Sequence, residues 1–335
     1  MGTRGFVKAV NGVTGLAVGR TLALVVLAIT LVANAYGQIV TIGLLAPDEE
    51  PRFSEIASAL TQGLREQGHS EHAIQIREGR VQRGDSTAAR AAVDGFLRQR
   101  ASVIFAVGSV LARIAREAAP AVAIVFITPG DPVAAGLVAS LARPGGNMTA
   151  MTFEYPELSG KRIELLKEIV PHLRRVLVLY DPRDDSSKQG LAAAREAAAK
   201  LKIMLLEREV RSVAEIRRGL MALKEVGALL AIPGGITSGQ YEDMTRAANA
   251  NRRPTIFHAR TDSSRDALLT YGARDAEVAR QAARLVDKIL KGANAGDLPV
   301  ERPTRIPLTI NLKTAKSLGL TIPPSVLLRA DEVVQ

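Results

Sequence analysis

Few residues in this chain of 335 have types and spacings suited to covalent or metal chemistry. His69 and His72 are three apart, which on a helix would place two imidazoles on one face as metal ligands. They fall in a polar connection after Gly68, however, where a solvated loop pair is expected. His172 follows Pro171 between a helix and a strand, and His258 ends a strand; both read as structural or surface residues. The paired acids Glu49-Glu50 and Asp184-Asp185 lie in loops, where solvation and helix N-capping account for them. With no cysteine there is no disulfide, thiolate zinc site, Fe–S cluster or thiol nucleophile. No two glycines are separated by a single residue, which excludes the G-x-G-x-x-G dinucleotide fingerprint. The stretch from Gly63 to Ser70 approximates a phosphate-binding loop but lacks its lysine, and neither G-x-S-x-G nor S-x-x-K occurs. No catalytic residue, metal site or cofactor is assigned.

What remains is small polar residues where strands end and helices begin. Gly108-Ser109 follows an apolar run and opens a helical stretch. The free N–H groups and positive dipole end of a helix start suit a carboxylate, with the Ser109 hydroxyl as an extra donor; alternatively Ser109 is only an N-cap. Thr128, Pro129, Gly130 and Asp131 follow the next strand, where Asp131 either accepts from an ammonium group or orders its own loop. Tyr180 ends a later strand and Ser186-Ser187 begin the helix after it, which repeats the arrangement. Tyr271 either stacks on a ligand or packs.

The elements that must position these residues alternate in type. Strands are expected over 39–45, 73–77, 102–107 and 122–127, with helices over 52–67, 87–100 and 109–118 between them. A second series has strands over 149–153, 176–180, 203–207, 228–232 and 255–257, with helices over 158–170, 187–200, 213–224 and 241–250. A short run over 268–271, a long helix over 275–291 and a strand over 305–310 complete the chain. Near-continuous apolar strands separated by amphipathic helices predict parallel sheets covered on both faces. The fold class is therefore α/β, with two doubly wound open-sheet lobes and a cleft between their strand ends.

The net charge of +10 is scattered through helical stretches, and the five Tyr and seven Phe are not interleaved with basic residues. Nucleic-acid binding is thus not expected. The first 47 residues contain no acid. Arg4, Lys8 and Arg20 precede an apolar stretch over 21–32 and the small-x-small sequence Ala33-Asn34-Ala35, so residues 1–35 read as a cleaved export signal; retention as an anchor is the other reading.

Several stretches resemble one family, the extracytoplasmic substrate-binding proteins of ABC transporters, in the branch that includes tryptophan-binding lipoproteins. They are FITPGDPVAAGLVASLA over 126–142 with its continuation RPGGNMTAMTF, ELSGKRIELLKEIV over 157–170 followed by PHLRRVLVLYDP, Tyr271-Gly272, VDKILKGANAGDLPVERPT, and INLKTAKSLGLTIPPSVLLRADEV. The resemblance implies a type I periplasmic-binding-protein-like receptor with three interlobe crossings. It would act as a periplasmic monomer, without catalysis or cofactor, and deliver a small molecule to an ABC transporter permease. The N-terminal lobe would be 36–146 plus about 271–300, and the C-terminal lobe 147–270 plus about 301–335. Candidate ligand-binding residues are Pro47, Gly108, Ser109, Thr128, Asp131, Tyr180, Ser186, Ser187, Gly235 and Tyr271. After the strand over 228–232 the family often carries Pro-Asp followed by aromatics, where this chain has Pro233, Gly234, Gly235, Ile236 and Thr237. Tryptophan specificity is therefore not transferred. A secreted α/β enzyme and a sensory module for a signalling partner are the competing readings.

N-terminal sequencing of exported protein is expected to start near Tyr36. Retention of Met1 or Gly2 would contradict cleavage.

Overall fold

Strands without polar alternation need apolar cover on both faces, and the computed structural model, which describes residues 39–48, 52–153, 156–259 and 264–335, supplies it twice. The first sheet contains β1 (Val40–Pro47), β2 (Ile74–Val81), β3 (Val103–Val107), β4 (Ala123–Thr128) and β5 (Met148–Thr152). Its order is β2-β1-β3-β4-β5, and every pairing is parallel. The helices α1 (Arg52–Glu66), α2 (Ser86–Arg98) and α3 (Ser109–Ala118) follow β1, β2 and β3 in turn. One face of the sheet packs Leu44, Phe105 and Ile127 against α1 residues such as Ile56 and Leu60. The other packs Ile104 and Phe126 against Val93 of α2 and Ala115 of α3.

The second lobe repeats the scheme. It contains α4 (Pro156–Ile169), β6 (Arg175–Tyr180), α5 (Asp185–Lys200), β7 (Met204–Glu209), α6 (Val213–Leu220), β8 (Ala228–Ala231), the short α7 (Gly235–Ser238), α8 (Tyr241–Ala250), β9 (Thr255–Phe257) and β10 (Leu269–Tyr271). The chain then returns to the first lobe through α9 (Asp275–Leu290), whose Val278, Ala282 and Val286 join the core beneath α1. It crosses back to add β11 (Leu308–Asn311), α10 (Leu312–Leu318), α11 (Pro324–Leu327) and β12 (Glu332–Val334). The second sheet runs β12-β11-β10-β9-β8-β6-β7 and is parallel except for β10 against β11. Here α4 and α5 cover one face, and α6 and α8 the other.

The sheets divide the chain one strand later than the boundary expected at 146. Met148–Thr152 pairs with β4 in register from Ile124↔Met148 to Thr128↔Thr152, so it completes the first sheet and does not begin the second. Asn147 fixes this edge: its side-chain amide donates to the carbonyls of Ala119 and Val122 at 3.0 and 2.7 Å. Nothing in five apolar and small residues states which sheet they join; the partner strand decides. The crossings run together: Gly272 N–H donates to the Pro307 carbonyl at 3.1 Å, joining the second to the third, and Thr152 N–H donates to that of Glu301 at 3.0 Å, joining the first to the third.

The expected export signal over 1–35 lies outside the described residues. Among those described, no helix is long and apolar enough to cross a membrane.

The two lobes touch across the cleft. The loop after β4 docks on the first turns of α5, where Asp131 N–H donates to Gln189 Oε1 at 2.8 Å. Arg113 of α3 reaches Asp185 at 3.1 Å. At Gly130 the approach is so close that a Cβ would sit 2.5 Å from Ser186 Oγ and 2.9 Å from its Cα. Because β-sheet lobes are stiff and crossings are not, Gly130→Val should wedge the cleft open and not deform either lobe. Small-angle scattering of the variant is expected to give a larger radius of gyration than the parent. An unchanged radius would mean that the loop yields instead.

Candidate functional site

In a parallel sheet, the point where strand order reverses leaves a crevice at the carboxyl ends of the strands. The reversal falls between β1 and β3 in the first lobe and between β6 and β8 in the second. The two crevices face each other and enclose a cavity of about 350 Å³. Its walls come from strand ends on both sides: Pro47, Val107 and Pro129 from one lobe, Asp181, Pro233 and His258 from the other. Such a volume suits a small organic molecule.

Helix starts supply the polar wall. The starts of α2 and α5 are closed by side chains: Asp85 accepts from Ala88 N–H at 2.8 Å, and Asp184 accepts from Ser186 N–H at 2.9 Å. The start of α3 is not. Its cap residue is Gly108, at φ +91° and without a side chain, and the first intrahelical bond is from Ala112 N–H to the Gly108 carbonyl. The N–H groups of Ser109, Val110 and Leu111 therefore precede the helical ladder, and all three residues line the cavity. Ser109 is the first helical residue, so it does not cap the helix as the alternative supposed.

Two arginines in the cavity wall are paired. Arg183 bonds Asp181 through two nitrogens at 3.0 and 2.9 Å, and the Asp181 carboxylate raises the guanidinium's pKa. Arg52 Nε donates to Asp275 Oδ2 at 2.6 Å, and its terminal nitrogen pairs with the same oxygen. Burial pushes the Asp275 carboxyl up, but Arg52, with His258 beside it, outweighs this and holds it below the ordinary carboxylate range. His258 is fixed by a hydrogen bond between its Nδ1 and the Tyr241 hydroxyl, and Tyr241 in turn stacks on Phe257 at 4.2 Å. Burial pushes the imidazole down to about 3, despite the opposing pull of Asp275.

Of the residues proposed from sequence, Pro47, Gly108, Ser109 and Ser186 line this cavity. The others do not. Thr128 turns inward and accepts from Gly130 N–H, and Asp131 accepts from Val133 and Ala134 N–H, which orders its own loop. Tyr180 donates to Glu209 at 3.1 Å. Ser187 is buried and accepts from Asp181 N–H at 3.1 Å, one position behind the wall. Gly235 begins α7 beside the lining residue Gly234. Tyr271 packs against the second lobe's core, and its carbonyl accepts from Arg162. His69, expected in solvent, pairs with Asp287 of α9 at 2.9 Å.

Sequence reading missed Arg52, Arg83, Asp85, Phe153, Arg183 and Asp275 as lining residues. Asp181 and His258 carried one available signal, since each directly follows a strand.

The buried imidazole makes stability depend on pH. Between its unfolded value near 6.5 and its folded value of about 3, the unfolded chain holds more of this proton. Stability should therefore fall as pH is lowered through that window, by at most about 1.4 kcal/mol per unit. Replacing His258 with Gln, which does not titrate, is expected to flatten the melting temperature against pH between about 6.5 and 4.5. A variant whose slope matches the parent's would show that other groups carry the acid sensitivity.

A family described as ABC transporter substrate binding protein matches residues 41–334. A tyrosine-binding protein of Clostridioides difficile (strain R20291) is 25% identical over 281 residues, which is 83% of this chain and 81% of that protein. The ABC domain in complex with L-Trp from Streptococcus pneumonia superimposes with a TM-score of 0.79 at 23% identity, covering 88% of this chain and 99% of that one. The ligand-free, open structure of CD0873 from Clostridium difficile gives 0.65, also at 23% identity, covering 89% of this chain and 100% of that one. With two doubly wound α/β lobes of the type I periplasmic binding protein fold around one cavity, the chain belongs to the ABC transporter substrate binding protein family.

Proposed function

We propose that the chain is an extracytoplasmic receptor that binds a small carboxylate-bearing solute between its lobes and delivers it to an ABC importer's permease. It works as a monomer, without catalysis, after export under its N-terminal segment. The observation that carries the reading is the α3 start. It presents N–H groups with no side-chain cap to a cavity that both lobes enclose. A carboxylate there would satisfy orphan donors and the positive end of the helix dipole together. The likeness to a tyrosine-binding protein supports a solute of amino-acid size. The family's usual role supports the permease partnership and the extracytoplasmic location.

Thermal-shift screening against amino acids, aromatic acids and small carboxylates tests this. A ligand at 100 times its Kd should stabilise by about 2.7 kcal/mol, which is visible as a raised melting temperature. With that ligand, Ser109→Ala should weaken binding roughly ten- to a hundredfold, the loss of one charge-assisted hydrogen bond. Gly108→Val should be worse, because a branched side chain at φ +91° is strained and its Cβ points into open space in front of the helix start. If Kd in Ser109→Ala moves less than about twofold, the carboxylate is held elsewhere, with Ser186 the next place to look.

A further inference from the structure

We propose that Arg162 is a positioning residue for lobe closure. It holds the Tyr271 carbonyl in the second lobe's frame, so that rotation at the second crossing is confined to residues 272–274. This rests on the receptor reading above, because it concerns the opening and closing that such a receptor needs, and it gives that motion a fixed pivot.

Among the described residues, Arg162 of α4 is the largest fully buried side chain. Taking a guanidinium out of water is costly, and an apolar side chain of similar volume would fill the position without that cost. What the arginine supplies is a forked donor. Its Nε and Nη2 both donate to the Tyr271 carbonyl, at 3.0 and 2.5 Å, and Nη1 reaches the Ser159 hydroxyl at 3.4 Å. Tyr271 ends β10, a strand of three residues, and the chain leaves the second lobe directly after it.

The turn that follows is built against the same group. Gly272 has φ +150°, and a Cβ there would sit 2.0 Å from the His258 carbonyl oxygen and 3.1 Å from Arg162 Nη2. Its N–H donates to the Pro307 carbonyl, which ties the second crossing to the third, and Thr152 N–H on Glu301 ties the third to the first. Arg162 adds the remaining tie, because α4 is the first helix after the first crossing and Tyr271 is the last strand residue before the second. Without it the end of β10 would be held by its ladder alone, and the flexible link would lengthen into the second lobe. A longer link admits more orientations of two stiff lobes, which lowers the share of the closed one.

The test measures the distance distribution between two nitroxide labels by double electron–electron resonance, on the full chain with no solute added. The chain has no cysteine, so Arg98→Cys in the first lobe and Lys224→Cys in the second, both at exposed positions, take the only labels. Arg162→Met removes the donors, and it should raise the population outside the parent's distance range about tenfold or more, as expected for the loss of a charge-assisted hydrogen bond. Arg162→Lys keeps the charge but loses the fork and should raise that population less. Melting temperatures confirm that each variant is folded. A merely structural arginine would lower the melting temperature and leave the distribution as in the parent, and that result overturns the proposal. If Arg162→Met does not fold, Arg162→Lys decides by the same comparison. If neither folds, Arg162 serves the folding of its lobe and the proposal fails. Because no solute is used, the two readings fail separately: a parent-like distribution removes only the pivot, and a solute screen in which nothing binds removes the receptor.

Discussion

A helix that follows a parallel strand must begin at that strand's carboxyl end, so each crossover delivers its unpaired N–H groups to the same rim of the sheet. Two such sheets set rim to rim concentrate these donors around one space. The donors need acceptors, and most of the polar chemistry around the cavity meets that need. Asp85 and Asp184 close the starts of α2 and α5 from within the chain. At α3 the chain has a glycine in that position and no side chain supplies the acceptor, which is the place given above to the proposed solute's carboxylate. The same rim carries two ion pairs, Arg52 with Asp275 and Arg183 with Asp181, whereas no side chain closes the start of α3.

In the receptor proposed above, opening and closing of this space would take place at the crossings that join the lobes. The chain passes between them three times, and the second and third passages are bonded to each other, which favours rotation over sliding. Contacts at the cleft mouth are few and polar: a backbone N–H on Gln189, and Arg113 on Asp185. Pairs at such partly exposed positions contribute little by themselves, so the lobes depend on what lies between them to stay closed. A molecule that bonds α3 on one side and the second lobe on the other shifts that equilibrium by its difference in affinity for the two states.

Much of the fold was legible because apolar runs and helical periods are local properties. The run over 102–107 is β3 within a residue, and Tyr241–Ala250 is α8 at both ends. The rim positions of Gly108, Ser109 and Ser186 follow from counting strand ends and helix starts. Tyr180 and Tyr271 follow from the same counting but fall outside the cavity, because a strand end also has an outer side and a core-facing side. Asp131 was legible as a polar group after a strand and Ser187 as one at a helix start, yet each is consumed by a backbone N–H within two to six residues, an alternative that local sequence leaves open.

By itself the sequence determined the alternation of strand and helix, the burial of both sheet faces, and the absence of thiol and dinucleotide chemistry, since each depends only on residue type and spacing. Tertiary structure alone decided that β5 joins the first sheet, because either sheet could have accepted its apolar side chains. It also decided that Arg52 meets Asp275 across 223 positions, and that His258 stands between Tyr241 and the cavity. Such contacts depend on where the crossings return the chain, and no local pattern records that distance. The sequence placed the donors on a rim, and only the packing of two rims against each other made them a site.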